Sequence, residues 1–342
     1  MLERGSIWRR WDLHVHTPDT VLNNQFGSWD DFLAEIEDNP DIKVIGVTDY
    51  MVIGGYSTLR KAKADGRLPD VEMLLPNIEF RLAPQNNKGA AVNIHVLVSP
   101  DDPDHEAKIL QALSHLTWQY KEDKYSCVPQ QLIALGKAIN PKITDDKVAL
   151  AEGVKAFKID FSVFRDWYKN EGWLNKNSLI ACAAGDDGLS GFTQEGGWLA
   201  LREEISRFIN VIDCGRPGER NFWLGKGSEK DRETMKALGG MKPCIHGSDA
   251  HETKKVFKPD QDRFCWIKAD TTFEGLKQIM YEPEDRVYIG PTAPGLHDNS
   301  RVIREVRIED PTGCFGKITI PLNRVSQRSS GRRVQANLAW PN

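Results

Sequence analysis

The sequence predicts an α/β barrel, and three observations point there. Short apolar runs alternate with helical patterns through the chain. The runs at 43–47 and 92–98 are nearly continuous in apolar residues, as expected of strands buried on both faces. At least five runs end in a side chain that can bind metal or move a proton. When chemistry gathers at many strand ends, βα loops at one face of a barrel are implied. An open sheet would instead place its ligand at a single switch point.

The first strand, 6–16, ends in Trp-Asp-Leu-His-Val-His and sets Asp12, His14 and His16 on alternate residues. Alternate residues share one face of a strand, so both imidazoles can converge on one ion. Asp12 is open to two roles, a further contribution to the site or a local cap. Residues 28–37 read as a helix with Ser28 as N-cap and Phe32, Leu33 and Ile36 as its apolar set. The second strand, 42–50, closes on Thr48-Asp49-Tyr50, and a helix follows at 54–64. The third strand, 71–82, carries Glu79 and the fourth, 90–99, carries His95.

Residues 104–175 are mostly helical in pattern and too long for a simple crossover, so they read as an inserted helical layer. Their aromatics, Trp118, Tyr120, Tyr125 and Trp167, read as packing. Strands return at 178–184, 208–214, 243–247 and 264–269, with a helix at 272–280. The strand at 243–247 leads into Ser248-Asp249-Ala250-His251. Alternation with helices predicts parallel pairing.

Imidazole and carboxylate without a thiolate suit Zn²⁺, Mn²⁺ or Fe at a hydrolytic centre better than a structural zinc. A lone strand histidine is more often a satisfied core residue. The His-x-His pair together with Asp249, His251, Glu79 and His95 outweighs that reading. His105, His115 and His297 lie in polar or helical contexts and read as surface residues.

Bulk properties narrow the class. The 342 residues are 40% hydrophobic and 27% charged, ordinary for a globular protein. A net charge of −4 argues against nucleic-acid binding driven by overall basicity, though not against a local basic groove. Six scattered cysteines without a Cys-x-x-Cys pair, and no signal-peptide pattern, read as reduced cytoplasmic thiols. No apolar run reaches the roughly 18 residues of a membrane helix.

Taken as a set over residues 1–290, Asp12-x-His14-x-His16, Thr48-Asp49, Glu79, His95 and Ser248-Asp249-Ala250-His251 resemble the PHP (polymerase and histidinol phosphatase) superfamily. Its members are distorted (β/α)7 barrels that hydrolyse phosphate esters with up to three metal ions. The opening at 5–18 and the run at 216–228 look like the PHP domain of TrlF-type ATPase proteins, which are similar to SMC-like ATPases and associated with DNA repair or phage defence. The resemblance implies a PHP-like phosphoesterase barrel over 1–300 and a C-terminal extension, partly disordered, over 301–342.

Carried over by position, the resemblance implies that His14, His16, Glu79 and Asp249 hold a first ion. Glu79 would bridge to a second ion with His95, and His251 would belong to a third position. One or two bound ions, Mn²⁺, Zn²⁺ or Fe, are expected. Two positions depart from the superfamily pattern. Tyr50 stands where a histidine is usual, and the stretch at 180–187 lacks another, with Cys182 and Asp186 the available substitutes. The chain also lacks Gly-x-x-x-x-Gly-Lys-Ser/Thr and ends at Asn342 in an arginine-rich polar stretch. It therefore reads as a fragment, a shortened form, or a stand-alone member whose ATPase is a separate chain.

The expected activity is phosphodiester or nucleic-acid hydrolysis by an activated water. Asp49 and His251 are the candidate catalytic groups, and Arg81, Arg216 and Lys226 the candidate substrate contacts, with Arg220 nearby. The alternatives are a phosphomonoesterase on a small metabolite and a non-catalytic scaffold for an ATPase partner.

Overall fold

The structure, a computed structural model, describes residues 7–83, 89–192, 196–294, 305–310 and 316–321. Its first half runs β1 (Trp8–Val15), α1 (Trp29–Glu37), β2 (Ile42–Tyr50), α2 (Gly54–Ala64), β3 (Met73–Leu82) and β4 (Val92–Val98). Next come α3 (His105–His115), a hairpin of β5 (Thr117–Tyr120) and β6 (Asp123–Ser126), then α4 (Pro129–Ile139), α5 (Asp146–Ala156), α6 (Phe161–Asn170) and α7 (Gly172–Lys176). The barrel resumes with β7 (Ser178–Ala183), α8 (Gly196–Phe208), β8 (Val211–Asp213), α9 (Pro217–Trp223), α10 (Glu229–Ala237) and β9 (Cys244–Ile245). It finishes with β10 (Cys265–Lys268), α11 (Phe273–Lys277), α12 (Pro283–Arg286) and β11 (Val287–Ile289). A last hairpin, β12 (Glu305–Asp310) with β13 (Gly316–Pro321), falls within the expected C-terminal extension. The rest of that extension, with Cys314 and the arginine-rich tail, and the preceding His297 lie outside the described residues.

Nine strands form one sheet in the order β11-β10-β1-β2-β3-β4-β7-β8-β9. The segment after β9 returns to β1. The Asp249 amide donates to the His14 carbonyl at 2.9 Å, and Val15 bridges Ala250 in parallel. Seven strands, β1 to β4 and β7 to β9, thus ring one interior, while β10 and β11 extend the sheet from the base of β1. This is the distorted seven-stranded α/β barrel that the sequence predicts, with its inserted helical layer.

Pairing is not parallel throughout. β4 runs antiparallel to both β3 and β7, and β10 runs antiparallel to β1. For β3 and β4 the cause is connection length. Only residues 83–91 join β3 to β4, too few for the helical crossover that a parallel pair requires.

Strand alternation divides the core in two. Trp11, Leu13, Val44, Leu75, Leu97, Leu179, Ala181, Val211 and Ile245 fill the barrel interior. Ile45, Val47, Leu74, Ile78, Phe80, Val96, Ile180, Cys182 and Ile212 face outward against the helices. Each fully buried aliphatic chain contributes roughly 1.5–3 kcal/mol relative to exposure. The interior plug therefore supports the polar rim from below.

Helix signals act as expected at α1. The Ser28 hydroxyl accepts from the Asp31 amide, and Asp31 reaches back to the Ser28 amide in a capping box. Inside the insertion α4 and α5 pack backbone to backbone. A Cβ on Gly153 would lie 1.9 Å from the Leu132 carbonyl oxygen, and one on Gly136 the same distance from that of Ala149. The insertion's aromatics pack as expected: Trp167 is buried and donates to the Ala112 carbonyl at 2.8 Å. His105 corrects the surface reading. It is fully buried, 2.8 Å from the Tyr56 hydroxyl and 2.6 Å from the Asp102 carbonyl, because it opens α3 against α2. His115 is exposed and pairs with Glu171.

Candidate metal centre

Four side chains converge at the barrel rim. His14 Nε2 lies 3.6 Å from Glu79 Oε2 and 3.2 Å from Asp249 Oδ1. His16 Nε2 lies 3.5 Å from the same Glu79 oxygen and 3.4 Å from the same Asp249 oxygen. Four donors at about 2.1 Å from a tetrahedral ion stand about 3.4 Å apart, so these spacings are those of a ligand cradle. His14 Nε2, His16 Nε2 and Glu79 Oε2 are buried and have no hydrogen-bond partner. Buried polar atoms left unpaired are costly, and an ion between them would satisfy all three together. A divalent cation therefore fits the residues present. His95 adjoins, its ligand atom grouping with those of His14 and Glu79. The rings of His14 and His95 stand 4.6 Å apart.

The fold explains the convergence. On β3 the interior face carries Leu75, Asn77, Glu79 and Arg81 in turn, and Glu79 is in register with His95 on β4. The β1–β2 register slips between Asp12 and Val15, where β1 bends toward the rim. Asp249 holds a left-handed backbone, φ 47°, a conformation that aspartate tolerates better than most residues.

Behind the cradle, each imidazole is oriented by a second group. His14 Nδ1 donates to Asp213 Oδ2 at 3.0 Å, and His16 Nδ1 shares a 3.2 Å hydrogen bond with Thr20. His95 Nδ1 lies 3.1 Å from Asn77 Oδ1. The Asn77 amide donates to the Leu13 carbonyl and to Thr48 Oγ1, which turns its oxygen toward His95. A protonated Nδ1 leaves Nε2 of His95 free to act as a ligand.

Electrostatics follow from the crowding. Burial disfavours the Glu79 charge, but His14, His95 and His16 overcome it and hold its pKa down to about 2. Burial works against Asp249 too, and is overcome by His14 and His16, which keep its carboxyl well below the usual range. Burial and the nearby His14 push His95 down to about 4.

The cradle opens into a cleft of about 490 Å³. Arg81, Arg216 and Arg263 line it, with His246, Asp187 and Asn23. Of the expected substrate contacts, Arg81 and Arg216 thus reach the cleft. Lys226 does not: it pairs with Glu284 at 2.9 Å. Arg220 turns away and donates to the Val287 carbonyl.

The other sequence-predicted residues divide clearly. His251 lines the cleft, with Nε2 3.6 Å from Asp249 Oδ1 and 3.4 Å from the Tyr50 hydroxyl, and its ring stacks on His16. Tyr50 also accepts from Arg81 at 3.0 Å. Asp49 is not brought to the cleft. It follows Ile45 and Val47 on the outward face and accepts from the Gly55 amide at 2.9 Å, at the start of α2. Burial raises its pKa to about 7. Asp12 is a clasp, accepting from the amides of His14 and Ser248. Cys182 faces outward with Ile180, so its thiol cannot substitute for a missing ligand, and Asp186 is exposed while Asp187 lines the cleft. Among the described residues every cysteine is buried and free.

Sequence reasoning missed Asp213, Asn77 and Arg263. Asp213 had a readable signal, since it ends an apolar strand two residues after the inward-facing Val211.

Fold and site together define an α/β barrel carrying a carboxylate-imidazole metal cradle at its rim. The sequence matches no protein-family profile and no curated protein. Among solved structures the chain is similar to a protein of Bifidobacterium adolescentis described as a metal-dependent phosphoesterase. The two are 16% identical with a TM-score of 0.37, and the match covers 74% of this chain and 91% of that one. Among the described residues no helix is long and apolar enough to cross a membrane.

Proposed function

We propose that the protein is a metal-dependent phosphoester hydrolase whose finer activity is cleavage of phosphodiesters in nucleic acid. The observation that carries the hydrolase reading is the set of three unpaired, buried ligand atoms facing Asp249 beneath an arginine-lined cleft. His14, His16, Glu79 and Asp249, with His95 beside them, would hold a divalent ion, which would supply Lewis acidity toward a phosphoryl oxygen and toward water.

The chain's own groups do the rest. Arg81, on β3, and Arg216, in the turn before α9, approach the cleft from different elements and can hold phosphate oxygens in paired hydrogen bonds. Asp213 and Asn77 fix the tautomers of His14 and His95. His251, half-buried and beside Tyr50, is placed to exchange a proton with a substrate oxygen. The diester reading rests on the sequence resemblance and on arginines approaching from several sides. A phosphomonoesterase is the second reading, favoured by a cleft volume within the usual range for small ligands.

Elemental analysis paired with Mn²⁺-dependent turnover tests both. Chromogenic mono- and diesters and single- and double-stranded DNA and RNA serve as substrates, with His14→Ala/Asp249→Ala as control. Bound metal and diester cleavage that the double variant loses is the expected result. Turnover of the monoester alone selects the second reading, and bound metal without any turnover overturns both.

A further inference from the structure

Behind Arg81 a second, smaller cavity of about 50 Å³ adjoins the cleft. It shares Tyr50, Glu79 and Arg81 with the metal centre. Its remaining walls are Leu22 and Met51 from the barrel and Val154, Lys155 and Lys158 from the insertion. We infer that this cavity is a subsite for a second phosphate of the substrate, the phosphate adjacent in a nucleic-acid strand to the one at the metal centre. The inference rests on the hydrolase reading and names the substrate class that reading takes.

Three observations support it. First, the cavity collects three cations, Arg81, Lys155 and Lys158, against a single carboxylate, Glu79. No carboxylate pairs with Lys155 or Lys158 among the described residues. Arg81 Nε is buried without a hydrogen-bond partner, 3.6 Å from Glu79 Oε1. Glu79 offsets only one of the three charges, and a phosphate between Arg81 and the two lysines would offset the remainder.

Second, backbone bonds anchor the segments that carry the two lysines. The Ala83 amide donates to the Ile159 carbonyl at 2.9 Å, and the Phe161 amide donates to Ala83 at 3.1 Å. Ala83 also bridges Asp160 in parallel. Lys158 is thereby fixed beside the end of β3, two residues beyond Arg81. Lys155 lies on α5, whose close packing on α4 through Gly136 and Gly153 keeps its position.

Third, the cavity has room for a compact polar group, since its roughly 50 Å³ exceeds the roughly 10–15 Å³ that a single water needs. Arg81 stands between the two cavities and can contact both phosphates.

The test uses the full chain loaded with Mn²⁺ and two dinucleotides. TpT has only its internucleotide phosphate, and pTpTp carries a phosphate on either side. Lys155→Ala/Lys158→Ala removes two exposed lysines. Lys142→Ala/Lys147→Ala removes the same charge elsewhere on the insertion.

The wild type is expected to bind pTpTp at least tenfold more tightly than TpT by calorimetry, with the same preference in KM. Lys155→Ala/Lys158→Ala should lose that preference and keep TpT unchanged, while Lys142→Ala/Lys147→Ala retains it. Cleavage of TpT with no preference for pTpTp overturns the subsite and leaves the hydrolase reading standing. A binding preference lost in the Lys155/Lys158 variant, without hydrolysis of either dinucleotide, upholds the subsite and overturns the hydrolase. Equal loss in both double variants overturns the subsite in favour of general charge attraction.

Discussion

Asp213 Oδ2 accepts from His14 Nδ1 at 3.0 Å, so the imidazole presents Nε2 to Glu79 and Asp249 in a fixed tautomer. Outer carboxylates of this kind typically contribute 10- to 100-fold in metal affinity. Asp213→Asn should therefore weaken Mn²⁺ binding by about 10- to 100-fold, measured by competition with a chelator, while the melting temperature of the metal-free protein changes little. Unchanged affinity would show that His14 is oriented by its surroundings alone.

Metal should stabilise the folded chain by mass action. At a free Mn²⁺ concentration 100 times Kd the gain is about 2.7 kcal/mol, visible as a rise in melting temperature. Asp249→Asn removes one cradle oxygen charge and should abolish most of that rise. Calorimetric scans of both proteins across a Mn²⁺ series decide it.

Asp49 gives stability a specific pH dependence. Burial raises its folded-state pKa to about 7, above the unfolded carboxylate near 3.9. Between these values the folded chain holds a proton that the unfolded chain has released, so the Asp49 contribution falls as pH rises through that window. Asp49→Asn should gain stability relative to wild type from pH 4.5 to 7.5, read by urea unfolding, and should retain turnover. Loss of turnover with an intact fold would return Asp49 to the catalytic machinery.

A Cβ on Gly247 would sit 2.6 Å from both Asp12 Oδ1 and His14 Cβ. Gly247→Ala must move the clasp or the first ligand, and overpacking of this kind typically costs about 1–3 kcal/mol. Both a lower melting temperature and weaker metal binding are expected, whereas Gly54→Ala, with open space around it, should change neither.

Much of this was legible in the sequence, for identifiable reasons. His14, His16, Glu79, His95, Asp249 and His251 stood out because strand periodicity and ligand chemistry coincide on them. What failed was the choice of face. Asp49 ends a strand as Glu79 does, but it belongs to the phase of Ile45 and Val47, which pack outward. Cys182 fails for the same reason, one residue out of phase with Ala181. Lys226 was placed by proximity in sequence to a strand end, and only the three-dimensional pairing with Glu284 shows where it points. The reversal of β4 was readable and missed, because the few residues between the expected strands at 71–82 and 90–99 leave no room for a helical crossover.

The ring of strands closes where Asp249 meets His14, two residues more than 230 positions apart in the chain. A contact so distant in sequence closes most of the chain into one loop, an entropic cost that local contacts do not carry. Ligands for the ion come from both sides of this junction, and the assembled cradle cannot exist before the junction forms. An ion bound there would therefore latch the two ends of the ring together. Amide hydrogen exchange at Ser248 and Asp249 is the place where its arrival would be felt first.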